Sequence, residues 1–418
     1  MLRTNLFLRC FCLFFLTLFI CSLLVFASEL LPQGPIDRHV SESVERLEFE
    51  GPYAYILDGR KSAMLDNYTD AIILTVCKSS HIGEPLSFLT NPMFDGDDPI
   101  GSLAAYCREG AEPDGHYVRY WLGFRIFLRP LLEFFTFRGI RFVMLGVLFV
   151  LTLLAVISVY RNVSLPAALA FGLSILLIRP YVVSRCMQFA CCPLIAVSAM
   201  LFVPWAERDR RRCLPFFMVL GMLTMFFDFY TVPALTFGMP MIFYLTILAK
   251  KGEKLTAGTV LRCFGIWLLG YVLMWMAKLA LTTFFTPYNG FSNSFREFRL
   301  WTDRKSNAEP GQYTALKALA AVFRIVCPDT LCKVIMGALA LVCAALILWE
   351  VKSRQNDLLV RALPILYVGL LPLIWFAASA RPIIVHTFFQ YRSIAVLYWA
   401  VGAFVTAALA GRRQEEQT

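Results

Sequence analysis

Charge and histidine are both scarce in this chain: 16% of its residues are charged, and only 4 of 418 are histidine. Soluble domains carry about 25% charged residues, so a soluble globular enzyme is excluded at the outset. No zinc-like cysteine pattern, internal repeat, sustained heptad or low-complexity tract is present. The inverted-repeat signature of many secondary transporters is not evident either. What the chain has instead is apolar bulk. Hydrophobic residues make up 58%, phenylalanine alone numbers 37, and the mean hydropathy is +0.64. That is the composition of an integral membrane protein.

The net charge of +10 suggests nucleic acid only until the charges are placed. Most of the excess falls in short loops between apolar runs, where positive charge sets topology. The cysteines follow the same logic. Cys10, Cys12, Cys21, Cys186, Cys191, Cys192, Cys213, Cys263 and Cys343 lie within or at the ends of apolar runs, where thiols act as small hydrophobes. Cys77, Cys107, Cys327 and Cys332 fall in expected outer loops. No spacing forces a Cys77–Cys107 or a Cys327–Cys332 bridge.

A span needs about 20 mostly apolar residues. Candidates run near 7–27, 140–160, 164–178, 186–204, 214–228, 232–249, 258–284, 332–350, 361–378 and 391–410. The fold class expected is therefore all-α, a polytopic transmembrane bundle of about 10 spans. With Arg3 and Arg9 in the cytoplasm, every inner loop is basic. They carry Arg161, then Arg208 with Arg210–Arg212, then Lys250, Lys251 and Lys254, then Lys352 and Arg354, and last Arg412–Arg413. The frame puts both termini in the cytoplasm of a plasma (inner) membrane protein. Its expected divisions are a first span (1–27), an extracytoplasmic loop (28–139), a bundle (140–285), a second outer loop (286–330), C-terminal spans (331–411) and a tail (412–418). Val25-Phe26-Ala27 satisfies the small-residue rule for signal cleavage, but the apolar run before it exceeds a usual signal core, favouring a retained span.

The first loop holds three of the four histidines (His39, His81, His116) and most of the aqueous carboxylates, among them Asp58, Asp66, Asp70, Asp95, Asp97 and Asp98. Asp66 and Asp70, four apart before Ala71-Ile72-Ile73-Leu74, fall on one face of a helix. Such a pair binds a cation or lets one acid raise the other's pKa for general-base work; the plainer reading is an N-cap followed by a solvated first-turn acid. Asn67-Tyr68-Thr69 matches a glycosylation acceptor. Asp95-Gly96-Asp97-Asp98 lacks the rest of a calcium loop and reads as a polar turn. Tyr117 to Leu132, with Arg119, Arg125 and Arg129 among aromatics, reads as an interfacial amphipathic helix with snorkelling cations. The second outer loop carries Tyr288, Phe291, Phe295, Phe298 and Trp301, aromatics suited to stacking on sugars, and turns amphipathic from Tyr313 to Val326. Lys278 sits near the outer end of its span, in reach of the surface.

Short turns at the outer rim bring further polar residues: Arg179 and Arg185; Asp228 and Tyr230; Arg381, His386, Gln390, Tyr391 and Arg392. Asp228, flanked by aromatics, is expected to face a cavity or to pair with Arg179 or Arg392. Four arginines against one such acid suit an anionic ligand, since guanidinium forks match phosphate oxygens.

Taken together, these pieces resemble a membrane-embedded glycosyltransferase of the GT-C class, in layout and over nearly the whole chain. Leu65–Leu74, Tyr117–Leu132, Asp228–Pro240 and His386–Arg392 also resemble a group of bacterial polytopic membrane proteins of that general type. The resemblance implies transfer of a sugar from a polyprenyl-phosphate donor to an envelope glycan, lipid or protein acceptor, on the extracytoplasmic face and within the bilayer, with no nucleic acid involved. By it, Asp66 or Asp70 deprotonates the acceptor. Arg179, Arg381 and Arg392 hold the leaving phosphate, and His116, Tyr117, Asp228 and His386 line the substrate site. In many such enzymes the key acid follows the first span directly; here Glu29 does, and the Asp66/Asp70 pair comes well after it. No cofactor is implied, and a divalent cation on Asp66 and Asp70 stays open. The alternative is a transporter or flippase of a lipid-linked or anionic solute, which needs no first-loop acid.

Overall fold

The computed structural model describes residues 2–57, 59–79, 86–302, 312–328, 330, 333–334 and 356–415. Asp58, His81, Cys332, Cys343, Lys352, Arg354 and most of the expected span at 332–350 lie outside them. The regular structure of the described residues is helical apart from one short antiparallel pair, β1 (Pro92–Met93) and β2 (Gly115–His116), and an isolated bridge between Tyr55 and Met64.

The chain opens with α1 (Leu2–Glu29). The first loop then folds into a layer of helices: α2 (Gln33–Glu50), α3 (Asn67–Lys78), α4 (Ser87–Thr90), α5 (Pro99–Arg108) and α6 (Arg125–Leu132). Ile36, Val40, Val44 and Leu47 recur at helical spacing along α2 and are buried against α3 and α5. The bundle follows with α7 (Phe137–Asn162), α8 (Leu165–Leu177), α9 (Pro180–Val183), α10 (Met187–Glu207), α11 (Arg210–Phe227), α12 (Ala234–Lys250) and α13 (Ala257–Phe285). The second loop supplies α14 (Gly290–Thr302) and α15 (Ala315–Val326). The described chain ends with α16 (Asn356–Gly369), α17 (Leu371–Ala378), α18 (Ala380–Val385), α19 (Thr387–Gln390) and α20 (Ala395–Glu415).

Five stretches among the described residues are long and apolar enough to cross a membrane: Leu6–Glu29, Phe137–Asn162, Met187–Glu207, Ala257–Phe285 and Thr387–Ala408. Their outward faces are apolar, as at Phe7, Phe11, Phe15 and Phe19 of α1 and Phe142, Phe149 and Leu153 of α7. Other expected spans are shorter or broken. Leu165–Leu177 has 13 residues, and the segment expected at 361–378 is interrupted between Gly369 and Leu371. The basic turns share one end of the bundle, where Lys250 reaches Asn162 O, Lys251 pairs with Glu207 and Arg210 pairs with Glu253. The first-loop layer covers the other end.

Two expectations are overturned here. The stretch from Tyr117 is not one interfacial helix, because helix begins only at Arg125. Arg125 and Arg129 are fully buried rather than snorkelling. Arg125 pairs with Glu29 at 3.0 Å, and Arg129 donates to Ser28 O (2.8 Å), to Cys77 O and to Gln33 Oε1 (3.2 Å). Lys278 is likewise buried, donating to Phe88 O and Leu89 O at 2.9 and 2.8 Å. These cations find carboxylate and main-chain oxygens inside the protein, so nothing draws them to the surface. Cys77 and Cys107 are unbridged.

The closest helix crossing joins α11 to α13. A Cβ on Gly221 would strike Trp267 O, and one on Gly270 would strike Met218 O, so the two backbones touch at glycine. Valine at either position is expected to lower the thermal midpoint in detergent, at an overpacking cost of about 1–3 kcal/mol or more. Gly265→Ala, where an added Cβ meets nothing within 4 Å, is expected to be neutral or stabilising. Equal midpoints for all three variants would refute the backbone contact.

Candidate functional site

Asp66 and Asp70 are built into the start of α3. Asp66 is its N-cap, accepting from Thr69 N (3.1 Å) and Thr69 Oγ1 (3.0 Å). The capping reading therefore holds for Asp66. Asp70 departs from its plainer reading: it is fully buried, not solvated. One of its oxygens accepts from Met187 N (3.0 Å), at the start of α10; the other lies 3.7 Å from Arg141 Nη2 and has no hydrogen-bond partner among the described residues. Burial pushes the Asp66 carboxyl up to about 6 and the Asp70 carboxyl up to about 7, the latter against the pull of Arg141. Both acids therefore titrate near neutrality.

Around them runs a polar lattice. Arg141 bonds Glu50 (2.9 Å) and Asn67 Oδ1 (2.7 Å), while Asn67 Nδ2 donates to Glu50 (3.1 Å) and Gly51 O (2.8 Å). Asn67 is thus completely buried, and the glycosylation pattern is a structural asparagine instead. The turn before α10 is the shared floor: Asp66 N donates to Cys186 Sγ at 3.2 Å.

Arg392 meets the same turn from the far side. It donates to Ile178 O (2.9 Å) and Phe388 O (3.1 Å), lies over the Phe189 ring at 4.5 Å, and interacts electrostatically with Cys186 and Arg179. Its Nη2 has no hydrogen-bond partner among the described residues. Arg179 adopts a left-handed backbone (φ 57°), a strained choice for a non-glycine residue, just before α9. Two guanidinium groups in electrostatic reach of one another, with no acid among the described residues bonded to Arg392, make a place for an anion. Arg381 and His386 share Trp301, and His386 also stacks on Phe389 (5.2 Å), which packs on Phe189 (5.4 Å) beneath Arg392. Arg381 donates to Leu300 O and lies over Trp301, whose ring is 5.3 Å from that of His386. Desolvation pushes the His386 imidazole down to about 4, so it is neutral at neutral pH.

Asp228 does not pair with an arginine. It accepts from Thr231 N (3.0 Å) and from the Thr231 hydroxyl, closing the tight turn after α11. The next residues build an aromatic cluster. Tyr230 packs on Tyr120 (5.3 Å), Tyr271 (6.0 Å) and Trp275 (6.4 Å), while Tyr117 packs on Tyr120 at 4.9 Å. Arg119 lies over Tyr117 and Tyr120 and pairs with Glu297 of α14. Gln390 Nε2 donates to Tyr230 O, tying this cluster to the Arg392 segment. Tyr271 Oη and Trp275 Nε1 are buried with no hydrogen-bond partner among the described residues. His116 sits at the margin, 2.9 Å from the Tyr288 hydroxyl.

Sequence reasoning passed over Arg141, Tyr271 and Trp275, and took Arg119 and Tyr120 only as part of an interfacial amphipathic stretch. Arg141 carried a signal, since it lies inside the expected span 140–160. The aromatics carried none, as span aromatics ordinarily face lipid. Asp98 N-caps α5 through Gly101 N (2.9 Å), as expected of a polar turn. Among the described residues no cluster of three or more His, Cys, Asp or Glu is arranged to hold a metal ion.

A carboxyl raised in the folded state leaves the protein most stable below its unfolded pKa and costs stability as pH climbs towards the folded value. For Asp70 that window runs from about 4 to about 7. Asp70→Asn keeps an acceptor for Met187 N and removes the titration. The difference in thermal midpoint, wild type minus variant, is expected to fall as pH rises through that window and to level off above it. A difference independent of pH would show that Asp70 ionises as it does in water. Searches of family models, curated proteins and solved structures return no match for this chain, so its function has to be read from its own residues.

Proposed function

We propose that this chain is a membrane-embedded glycosyltransferase of the GT-C type, working at the end of the bundle that carries the first-loop layer. The observation that supports it most is the pair of buried first-loop acids, with carboxyls raised to about 6 and about 7, packed on the turn that Arg392 meets from the other side. A general base works best with a pKa near the operating pH. A phosphate-bearing leaving group needs fixed positive charge where its own charge develops.

In this reading Asp66 or Asp70 takes the proton from an acceptor hydroxyl. The acceptor oxygen attacks the anomeric carbon and forms the new glycosidic bond as the bond to phosphate breaks, with inversion. Polyprenyl phosphate leaves against Arg392 and Arg179, with Arg381 further out. The aromatic cluster of Tyr117, Tyr120 and Tyr230, with the unpartnered Tyr271 hydroxyl and Trp275 N–H beneath it, suits a sugar, whose apolar face stacks while its hydroxyls seek donors and acceptors. Acceptors of envelope type, the extracytoplasmic side, cytoplasmic termini and about 10 spans belong to the same proposal, motivated by the basic turns gathered at the opposite end.

One observation favours a transporter of an anionic or lipid-linked solute. Residues 371–394 form four short pieces, α17, α18, α19 and a 3-10 turn (Tyr391–Ile394), and broken helices line many transport pathways.

The deciding experiment compares lipids and envelope glycans by mass spectrometry in wild type, a deletion strain, Asp66→Asn and Asp70→Asn at matched expression. Loss of one glycan decoration with accumulation of a polyprenyl-phosphate sugar, in the deletion and in at least one substitution, is the expected result. A deletion phenotype that both substitutions fully rescue would move the assignment to transport. Unchanged glycan and lipid pools in the deletion would defeat both readings.

A further inference from the structure

An open cavity of about 310 Å³ lies between the C-terminal half of α2 and the first turn of α7, and its lining includes neither the arginine pair nor the aromatic cluster. Its position fixes its surroundings. The first turn of α7 begins one of the five membrane-length helices, so this cavity sits where apolar span gives way to polar layer, at the depth of lipid headgroups. Phe49, Phe134 and Phe142 beside it are exposed by 82%, 75% and 61%, as side chains facing lipid are.

The walls carry charge of both signs. Arg46 and Arg141 are both engaged by Glu50. Arg141 is only 7% exposed, forms part of the wall, and its Nε has no hydrogen-bond partner among the described residues. Arg138, Glu42 and Glu45 also line the cavity, with Glu45 also in electrostatic reach of Arg108. The main-chain N–H of Phe137 is taken by Ser43 Oγ at 2.9 Å. The next N–H groups, of Arg138 and Gly139, are first-turn donors with no helical acceptor.

We propose that this cavity binds the headgroup of a phospholipid carrying a primary amine, of the phosphoethanolamine type. The phosphate sits at the start of α7 against Arg138 and Arg141, and the ammonium donates to Glu42 and Glu45. A purely anionic headgroup would leave those two carboxylates repelling it. A quaternary ammonium has no N–H to donate to them. The lipid would pin the C-terminal end of α2 to α7, next to the Arg141–Asp70 contact. The proposal does not rest on the transferase reading.

The test is native mass spectrometry of the full-length protein in detergent, titrated separately with dioleoyl phosphatidylethanolamine, phosphatidylcholine and phosphatidylglycerol, and with free O-phosphoethanolamine and inorganic phosphate as competitors. The ethanolamine lipid is expected to bind about tenfold more tightly than the other two, the ratio set by one charge-assisted contact. Glu42→Gln/Glu45→Gln should erase that preference while leaving phosphatidylcholine binding unchanged. Arg138→Gln should weaken all three lipids, and Arg210→Gln, at the opposite end, none. Equal affinity for the three lipids, or a preference for phosphatidylglycerol, would overturn the proposal. Displacement of the lipid by free phosphoethanolamine or phosphate at comparable concentration would show a soluble ligand and overturn the lipid assignment. All substituted side chains are exposed, and midpoints measured without lipid check that each variant folds.

Discussion

Burying cations is expensive, and this molecule does it at the joint between its first-loop layer and its bundle. Arg125, Arg129 and Lys278 are withdrawn from solvent around Glu29, which pairs with Arg125 and also accepts from Ser87 Oγ at 3.0 Å. Removing one partner of such a group typically costs about 3–5 kcal/mol, because the other charge is left unpaired. The group persists because main-chain oxygens complete it: Ser28 O and Cys77 O for Arg129, Phe88 O and Leu89 O for Lys278. Those carbonyls belong to the end of α1, to α3 and to α4. Seating the layer and satisfying the charges are consequently one event. Trp121, donating through Nε1 to Met274 O at 2.9 Å, closes the same joint from the aromatic side.

That joint sets the conditions for the acids above it. With the layer held down, α3 lies against the turn before α10, and Asp70 loses its water without gaining a full set of hydrogen bonds. Its carboxyl rises because the compensation offered by Arg141 at 3.7 Å is partial and shared with Glu50. A closer arginine would have driven it down. The intermediate distance leaves a group able to change protonation near neutrality, which is what proton-transfer chemistry or proton-coupled movement requires.

The sequence made the outline of this arrangement legible, and the reasons differ by residue. Apolar run lengths located α1, α7, α10 and α13, because a membrane imposes a length on any span. Asp66 announced itself as a cap, since capping is local and needs only the next three residues. Arg125 and Arg129 were misread because their spacing among aromatics is the same whether they snorkel or are buried. What decides is Glu29, Ser28 O and Cys77 O, tens of residues away and not encoded in any local pattern. For Asp228 a cavity or a long-range arginine was expected, and the Thr231 turn three residues on supplies its partners instead. The broken stretch from Leu371 to Ile394 looked like the end of one span, a short turn and the start of the next, because helices of four to eight residues leave no periodicity to read.

The two functional readings draw on the same electrostatics, and the difference between them is geometric. Transfer needs the base, the anion site and the sugar site to converge while the backbone stays still. The joint at Glu29 and Arg125 favours that, since moving the layer would expose several charges at once. Transport needs some element to move between two arrangements. The pieces from Leu371 to Ile394 offer one, but Arg392 anchors their end by donating to Ile178 O and Phe388 O, and Tyr391 Oη donates to Ser62 O in the layer itself at 3.3 Å. A rocking motion there would break the bonds from Arg392 to Ile178 O and from Tyr391 to Ser62 O. The balance of contacts therefore favours a fixed site with a proton-accepting group, and the broken helices then serve to place Arg392 and Gln390 side by side beneath the layer.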